Sequence, residues 1–149
     1  MRAVVQRVSR SSVSVDDEII ASVEKGIMVL LGVESGDTEK DVDYMVEKII
    51  NLRIFEDDDE VMNYSLLDIK GEMLAISQFT LLGDCRKGRR PSYKNAEKPD
   101  QANTLYESFV EKSRLKDVRV KTGKFQAEMI VDIVNDGPVT LLIDSNKTF

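Results

Sequence analysis

Two hydroxyl groups and an amide fall beside an aromatic ring in the segment AISQFTLLGD, where Ser77, Gln78, Phe79 and Thr80 end an apolar run. Strand ends that border loops are common positions for binding and catalytic groups. A nucleophilic hydroxyl in such a place could attack an acyl group, provided that a base activates it. A buried strand is the alternative, with Phe79 packed in a core and both hydroxyls bonded to the main chain. The spacing alone leaves both interpretations open.

The sequence contains no histidine and a single cysteine, Cys85. It therefore lacks the usual general base, the Ser-His and Cys-His pairs and the commonest zinc ligand. Any catalysis must use hydroxyls, carboxylates, lysines, main-chain amides or a group on the substrate. We expect no cofactor and no transition-metal site, while a carboxylate site for magnesium stays open. One thiol cannot form an internal disulfide, which agrees with a reducing compartment.

The composition is typical of one soluble domain spanning residues 1–149, with 42% hydrophobic and 32% charged residues. No stretch approaches the roughly 18 consecutive apolar residues that a membrane span needs, and the N-terminus lacks the apolar core of a signal peptide. We therefore expect a cytoplasmic protein without a membrane partner.

Charge is unevenly distributed along the chain. The net charge of −6 argues against a protein that coats nucleic acid by bulk attraction. Acidic residues concentrate in FEDDDEVMN, whereas RKGRRPSYK carries five cations: Arg86, Lys87, Arg89, Arg90 and Lys94. The basic segment could contact phosphates, or it could be a solvated loop that balances an acidic surface.

The periodicity predicts many strands and two helices. Alternation in AVVQRVSRSSVSV and the apolar run GIMVLLGV predict N-terminal strands, and GEMLAISQFTLL has strand length. One amphipathic helix begins at Thr38, which forms a capping box with Asp41, and Pro99 opens a second. We expect further strands at about Val118–Val120, Phe125–Val134 and Val139–Ile143. The predicted fold is an α+β domain, with a mostly antiparallel or barrel-like sheet and two helices packed outside it.

A glycine-proline pair, Gly137-Pro138, stands before the last apolar run in NDGPVTLLID. Glycine accepts positive φ and proline fixes φ near −65°, so a turn is the ordinary explanation. The ten residues alone do not decide whether the pair also has a chemical role.

Taken together, SQFTLLGDCRKGRRPSYKN, MRAVVQRVSRSSVSV, LLGVESGDTEKD, RIFEDDDEVMN and NDGPVTLLID closely resemble, in order and spacing, the D-aminoacyl-tRNA deacylases. The resemblance spans nearly the whole chain, and SQFT and NDGPVT are specific as a pair. One departure is Gln126 in GKFQAEM, where the family usually has a small residue.

The resemblance implies a homodimeric hydrolase that cleaves the ester between a D-amino acid and the 3′-terminal adenosine of tRNA. In this family the Gly-Pro peptide is cis and enters the active site of the other subunit. That would place Gly137 and Pro138 opposite the SQFT residues, with Met129, otherwise typical of a core, among the substrate-binding residues. The cations Arg86, Lys87, Arg89 and Arg90 become the expected tRNA contacts.

Stereochemical rejection follows if the carbonyls of Gly137 and Pro138 fill the space that an L side chain needs. Glycine has no Cβ to exclude, so glycyl-tRNA should also be cleaved. Two mechanisms are compatible with the resemblance. Thr80 could be a nucleophile, or main-chain N–H groups around Phe79 and Thr80 could stabilise the oxyanion while the ribose 2′-hydroxyl helps activate water. We favour the second mechanism because no obvious base accompanies Thr80.

Two other functions stay open. The scaffold could serve an esterase for another small acyl substrate. Alternatively, the clustered cations would suit a noncatalytic module that binds RNA or protein.

Overall fold

The computed structural model describes residues 1–149 and contains eight strands, two α-helices and one short 3₁₀ turn. The strands are β1 (Arg2–Val15), β2 (Glu18–Val23), β3 (Gly26–Gly32), β4 (Phe55–Glu56), β5 (Met62–Tyr64), β6 (Glu72–Ser77), β7 (Arg119–Thr122) and β8 (Ile130–Asp144). The helices are α1 (Glu39–Ile50) and α2 (Pro99–Leu115), and the 3₁₀ turn is Phe79–Leu82.

Strand β1 is the centre of the main sheet. It pairs antiparallel with β2 and β3 along one edge and with β8 along the other. The order continues from β3 to β6 and β7 through parallel pairs. Strand β2 lies close to β6 and β7, which curls the sheet towards a barrel. The predicted α+β domain with a barrel-like sheet is confirmed, and the sheet is mixed.

Both helices form as their sequence patterns predict. Thr38 and Asp41 form the expected capping box at the start of α1, and Pro99 is the first residue of α2. Each helix buries its apolar face against the sheet, since these faces carry Val42, Met45, Val46, Ile49 and Ile50 in α1 and Ala102, Leu105, Tyr106, Phe109 and Val110 in α2. Neither helix is long and apolar enough to cross a membrane.

A second, smaller apolar cluster lies apart from the main core and includes Met28, Leu74 and Ile76. Met129 and Val131 pack against it from the C-terminal part of the chain. Because Ile76 is the residue before the end of β6, this cluster supports the region where the SQFT segment begins.

Two predicted strand boundaries are wrong. The strand in GEMLAISQFTLL ends at Ser77, and Phe79–Leu82 turn into the 3₁₀ helix. Residues 125–129 are not strand, because the N–H of Ala127 donates to the carbonyl of Lys124 (3.2 Å) and closes a turn. Conversely, Gly137-Pro138 does not separate two strands, since β8 continues from Ile130 to Asp144 on both sides of the pair.

Candidate active site

The 3₁₀ turn after β6 places the SQFT residues at the end of the parallel strands. The N–H of Gln78 donates to the carbonyl of Leu31 (2.8 Å), and the N–H of Leu81 donates to the carbonyl of Gln78 (3.2 Å). In a 3₁₀ helix the first internal donor lies three residues after the first acceptor. The N–H groups of Phe79 and Thr80 therefore have no acceptor within the turn.

Gly32, the last residue of β3, permits this close approach of the turn. A Cβ added at Gly32 would lie 2.8 Å from the Gln78 carbonyl oxygen and 2.5 Å from a methyl carbon of Leu82. A side chain at position 32 would therefore displace the main chain that carries Phe79 and Thr80. The sequence interpretation missed this role, because Gly32 simply continues an apolar run.

A cavity of about 670 Å³ opens beside this turn. Ser77, Gln78 and Phe79 line it from the end of β6, and Met129 lines it from the segment before β8. The start of α2 contributes further lining residues, and ten of the 17 residues around the cavity are hydrophobic. Apolar cavities with a few polar groups are typical of small-ligand sites. The structure thus brings together four of the residues that the sequence singled out.

Thr80 does not line the cavity, but its hydroxyl accepts a hydrogen bond from the side-chain amide of Gln78. An amide N–H orients a hydroxyl oxygen and cannot remove its proton. This contact therefore positions Thr80 without activating it as a nucleophile.

An aromatic pair stands at the cavity wall. The rings of Phe79 and Tyr93 meet edge to face with centroids 5.2 Å apart, and the two residues are 55% and 39% exposed. Exposed aromatic rings of this kind offer surfaces on which a planar ligand can stack. Tyr93 lies inside the basic segment, where only the cations were considered from the sequence.

The predicted basic loop begins directly after the turn. Main-chain hydrogen bonds between Asp84 and Ser92 (2.8 and 3.0 Å) close its base. Arg86 folds back onto the Asp84 carboxylate through two hydrogen bonds of 2.9 and 2.8 Å, which hold the pKa of Asp84 well below its usual range. The other three predicted tRNA contacts, Lys87, Arg89 and Arg90, are exposed.

Gly137 and Pro138 project from β8 as a bulge. Val8 pairs with Asn135 and Gln6 pairs with Thr140, so residues 136–139 face the single residue Arg7. Gly137 and Pro138 are exposed and do not line the cavity of their own chain.

The expectation of a cis Gly137-Pro138 bond is wrong for this structure, which contains no cis peptide bond. Gly137 changes the chain direction instead through a φ of +102°, which glycine adopts readily. The trans isomer is the favoured form of an X-Pro bond.

Arg7 supports the bulge from below and is only 7% exposed. Its Nη1 donates to the carbonyl of Ile54 (2.6 Å), and its Nε donates to the carbonyl of Asp136 (3.1 Å). The Asp136 carboxylate lies 3.4 Å from Nε. Arg7 was not identified from the sequence, although a charged residue in phase with buried Ala3 and Val5 on β1 was an available signal.

The acidic segment has a structural role. The Asp57 carboxylate accepts hydrogen bonds from the N–H of Val61, the N–H of Asp59 and the amide of Asn63, which lower its pKa. Asp57 thereby orders the turn between β4 and β5.

No group of three or more acidic or thiol side chains comes together in a way that could hold a metal ion.

Comparison with known proteins identifies the family. Residues 4–144 match the family model described as D-Tyr-tRNA(Tyr) deacylase. The D-aminoacyl-tRNA deacylases of Clostridioides difficile (strain 630) and Syntrophus aciditrophicus (strain SB) are 60% and 56% identical over 149 residues, covering the whole of each chain.

Two solved structures share the fold. One is titled c-Myc DNA Unwinding Element Binding Protein, with a TM-score of 0.91 and 46% identity over 97% of this chain and 98% of that one. The other is titled as a probable eukaryotic D-amino acid tRNA deacylase, with a TM-score of 0.79 over 95% of this chain and 97% of that one. At 18% identity, that second likeness concerns the fold alone. With its family model matched from β1 to the end of β8 and its cavity built from the SQFT segment, the chain belongs to the D-Tyr-tRNA(Tyr) deacylase family.

Proposed function

We propose that the chain hydrolyses the ester between a D-amino acid and the 3′-terminal adenosine of tRNA, releasing the free D-amino acid and tRNA. The main support is the joint position of Ser77, Gln78 and Phe79 on one largely apolar cavity. The family of the chain and the names of its relatives agree with this substrate. We place the reaction in the cytoplasm, where charged tRNA is used.

Main-chain groups carry the chemical step in this proposal. Water attacks the ester carbonyl carbon, and the N–H groups of Phe79 and Thr80 stabilise the negative charge that develops on the carbonyl oxygen. The bond to the ribose 3′-oxygen then breaks, and the proton lost by water ends on that oxygen with help from the neighbouring 2′-hydroxyl. Gln78 contributes by orienting the Thr80 hydroxyl through their hydrogen bond. The lack of histidine is compatible with this mechanism, because no side chain has to act as the base.

Selection of D-amino acids is assigned to the bulge that carries Gly137 and Pro138. These residues lie outside the cavity of their own chain and are exposed, so they are available to enter the cavity of a second subunit. Their carbonyl oxygens would occupy the position that the Cβ of an L-amino acid requires. D-amino acids and glycine leave that position empty, so glycyl-tRNA should be cleaved as well.

A homodimer is needed for this arrangement, and β8 offers a surface for it. β8 pairs only with β1, so its other edge is unpaired. Its exposed apolar side chains include Ile130, Ile133, Val134 and Leu142. Apolar edge strands left unpaired tend to associate with another chain.

Hydrolysis of matched D- and L-tyrosyl-tRNA by the purified protein tests the proposed activity directly. We expect the D-ester and glycyl-tRNA to be cleaved and the L-ester to survive. Cleavage of simple D-amino acid esters but not of the tRNA substrate would favour a general esterase. Absence of any hydrolysis, with tRNA still bound, would favour a noncatalytic module.

The dimer is tested with Leu142→Glu, which places a charge on the exposed edge strand. We expect a monomer in sedimentation velocity that no longer rejects L-tyrosyl-tRNA. Leu115→Glu is the matched control, because Leu115 is 74% exposed and lies at the end of α2, away from β8. A monomeric wild-type protein that is fully selective would refute the role of a second subunit.

A further inference from the structure

Gln126 has a main-chain conformation that favours glycine. It is the third residue of the turn Lys124–Ala127, and its φ is +60°. Glycine or asparagine is preferred at the third position of turns that need positive φ. A long side chain at this place strains the backbone, and of the seven non-glycine residues with positive φ only Gln126 lines the cavity.

The same turn forms part of the cavity wall. Gln126 and Met129 line the cavity together with Phe79 and Tyr93, and Gln126 is exposed. Its amide is therefore accessible to a ligand that binds in the cavity. The strained residue is thus also one of the polar groups that a ligand in this cavity would encounter.

Two other polar side chains of the cavity wall, Gln78 and Glu97, already have hydrogen-bond partners within the chain. The Gln78 amide donates to Thr80, and the two carboxylate oxygens of Glu97 accept from the N–H groups of Gly36 and Lys98. Gln126 is the exposed amide that offers a donor and an acceptor side by side.

We propose that the Gln126 amide recognises the base of the 3′-terminal nucleoside of the RNA substrate. The inference rests on the proposed function, because it assigns a contact to the same substrate. A glutamine amide matches the adjacent amino donor and ring-nitrogen acceptor of adenine. The exposed Phe79 and Tyr93 rings supply a surface for stacking an unpaired terminal base, as is usual in recognition of RNA ends. Gln126 is accordingly a specificity-determining residue, outside the chemical step.

The test compares D-tyrosyl-tRNA ending in adenosine with the same tRNA ending in purine riboside, which lacks the amino group of adenine. We expect the wild-type protein to prefer adenosine in kcat/KM by at least about fivefold, the lower end of what a bidentate amide contact discriminates. Gln126→Gly should abolish this preference, with a larger loss of kcat/KM on the adenosine substrate than on the purine riboside substrate, which can make only one of the two amide contacts.

Two further variants separate recognition from strain. Gln126→Gly should also raise Tm by roughly 2–4 °C, because it relieves the backbone at positive φ. Gln126→Ala should lose the preference without this gain. Asp117→Gly is the matched control, since Asp117 has a φ of +65° and lies after α2 outside the cavity, so it should raise Tm and keep the preference.

Each outcome bears on one of the two proposals. A wild-type protein that cleaves neither D-ester refutes the proposed function. A wild-type protein that cleaves both equally, or a preference that Gln126→Gly leaves intact, overturns the role of Gln126 alone. An equal loss on both substrates in Gln126→Gly also overturns it, because the amide would then contact another part of the substrate.

Discussion

A Cβ built at Gly137 would lie 2.0 Å from Nη2 of Arg7. The main chain of the bulge therefore rests directly on a buried guanidinium group, with no room for a side chain between them. Arg7 also donates hydrogen bonds to the carbonyls of Ile54 and Asp136, so it connects the start of the bulge to the segment before β4. This contact sets the position of the two residues to which stereochemical selection is assigned.

Gly137→Ala should displace the bulge, because alanine both clashes with Arg7 and disfavours a φ of +102°. Strain of this kind costs about 1–3 kcal/mol. We expect a lower Tm and measurable hydrolysis of L-tyrosyl-tRNA, with the D-ester still cleaved. Parallel assays of both esters and a thermal scan check this. Unchanged rejection of the L-ester would show that Gly137 does not form the filter.

Arg7→Lys keeps the charge but loses the planar set of donors that reaches two carbonyl groups. Hydrogen bonds from charged donors contribute about 1.5–3 kcal/mol, so we expect a clear fall in the urea midpoint and weaker rejection of L-tyrosyl-tRNA. Arg10→Lys is the control, because Arg10 is exposed on the same strand. If Arg7→Lys and Arg10→Lys have the same urea midpoint and the same rejection of L-tyrosyl-tRNA, the contact between Arg7 and the bulge does not contribute to selectivity.

Sequence reasoning succeeded where local signals suffice. The capping box at Thr38 and Asp41, the proline that opens α2 and the apolar periodicity of both helices act within a few residues. The junction between an apolar run and a polar loop made Ser77, Gln78 and Phe79 candidates but left a buried strand open, and only the family resemblance assigned them to a site; all three line the cavity.

The remaining features depend on contacts that are distant in the chain. The bulge at Gly137 forms because β8 pairs with β1. The hydrogen bond from Arg7 to the carbonyl of Asp136 joins residues that lie 129 positions apart in the sequence. The strand predicted from Phe125 failed because a single hydrogen bond, from Ala127 to Lys124, diverts the chain into a turn. The spacing of apolar residues along the sequence predicts neither the bulge nor the turn.

Thr80→Ala distinguishes the two mechanisms. Since the Thr80 hydroxyl is bonded to the Gln78 amide and main-chain N–H groups carry the charge, we expect a loss of about ten- to a hundredfold in kcat for D-tyrosyl-tRNA. Thr80→Ser should recover most of the activity. A loss of several orders of magnitude in Thr80→Ala, with tRNA affinity unchanged, would instead identify Thr80 as the nucleophile.

Asp41→Asn tests the electrostatics of the helix start. Burial raises the pKa of Asp41, but hydrogen bonds from Ser145 and the Thr38 N–H outweigh it, so the pKa is lowered below 3.8. A lowered carboxyl pKa stabilises the fold above the unfolded-state value and loses that effect as pH falls through the folded-state value.

The expected cost of Asp41→Asn is therefore about 0.5–2 kcal/mol at pH 7, typical of a lost cap, and it should shrink below about pH 4. Urea unfolding at pH 7 and pH 3 measures both quantities. Asp58→Asn, on the exposed acidic turn, should change neither. A difference between wild type and Asp41→Asn that is as large at pH 3 as at pH 7 would contradict the assignment.

The cations of the basic loop should differ in how much each contributes to tRNA binding. Lys87, Arg89 and Arg90 are exposed, whereas Arg86 is held by Asp84. The double variant Arg89→Gln and Arg90→Gln should weaken tRNA binding and reduce the slope of log K against log salt by about 0.7–0.9 for each lost phosphate contact. Arg86→Gln should change the slope less, because the charge of Arg86 is already balanced by Asp84 within the loop.

Rejection of L-tyrosyl-tRNA should stay intact in both variants, since phosphate contacts position a nucleic acid without contacting the acyl group. An unchanged salt slope in the double variant would assign the tRNA contact to another surface.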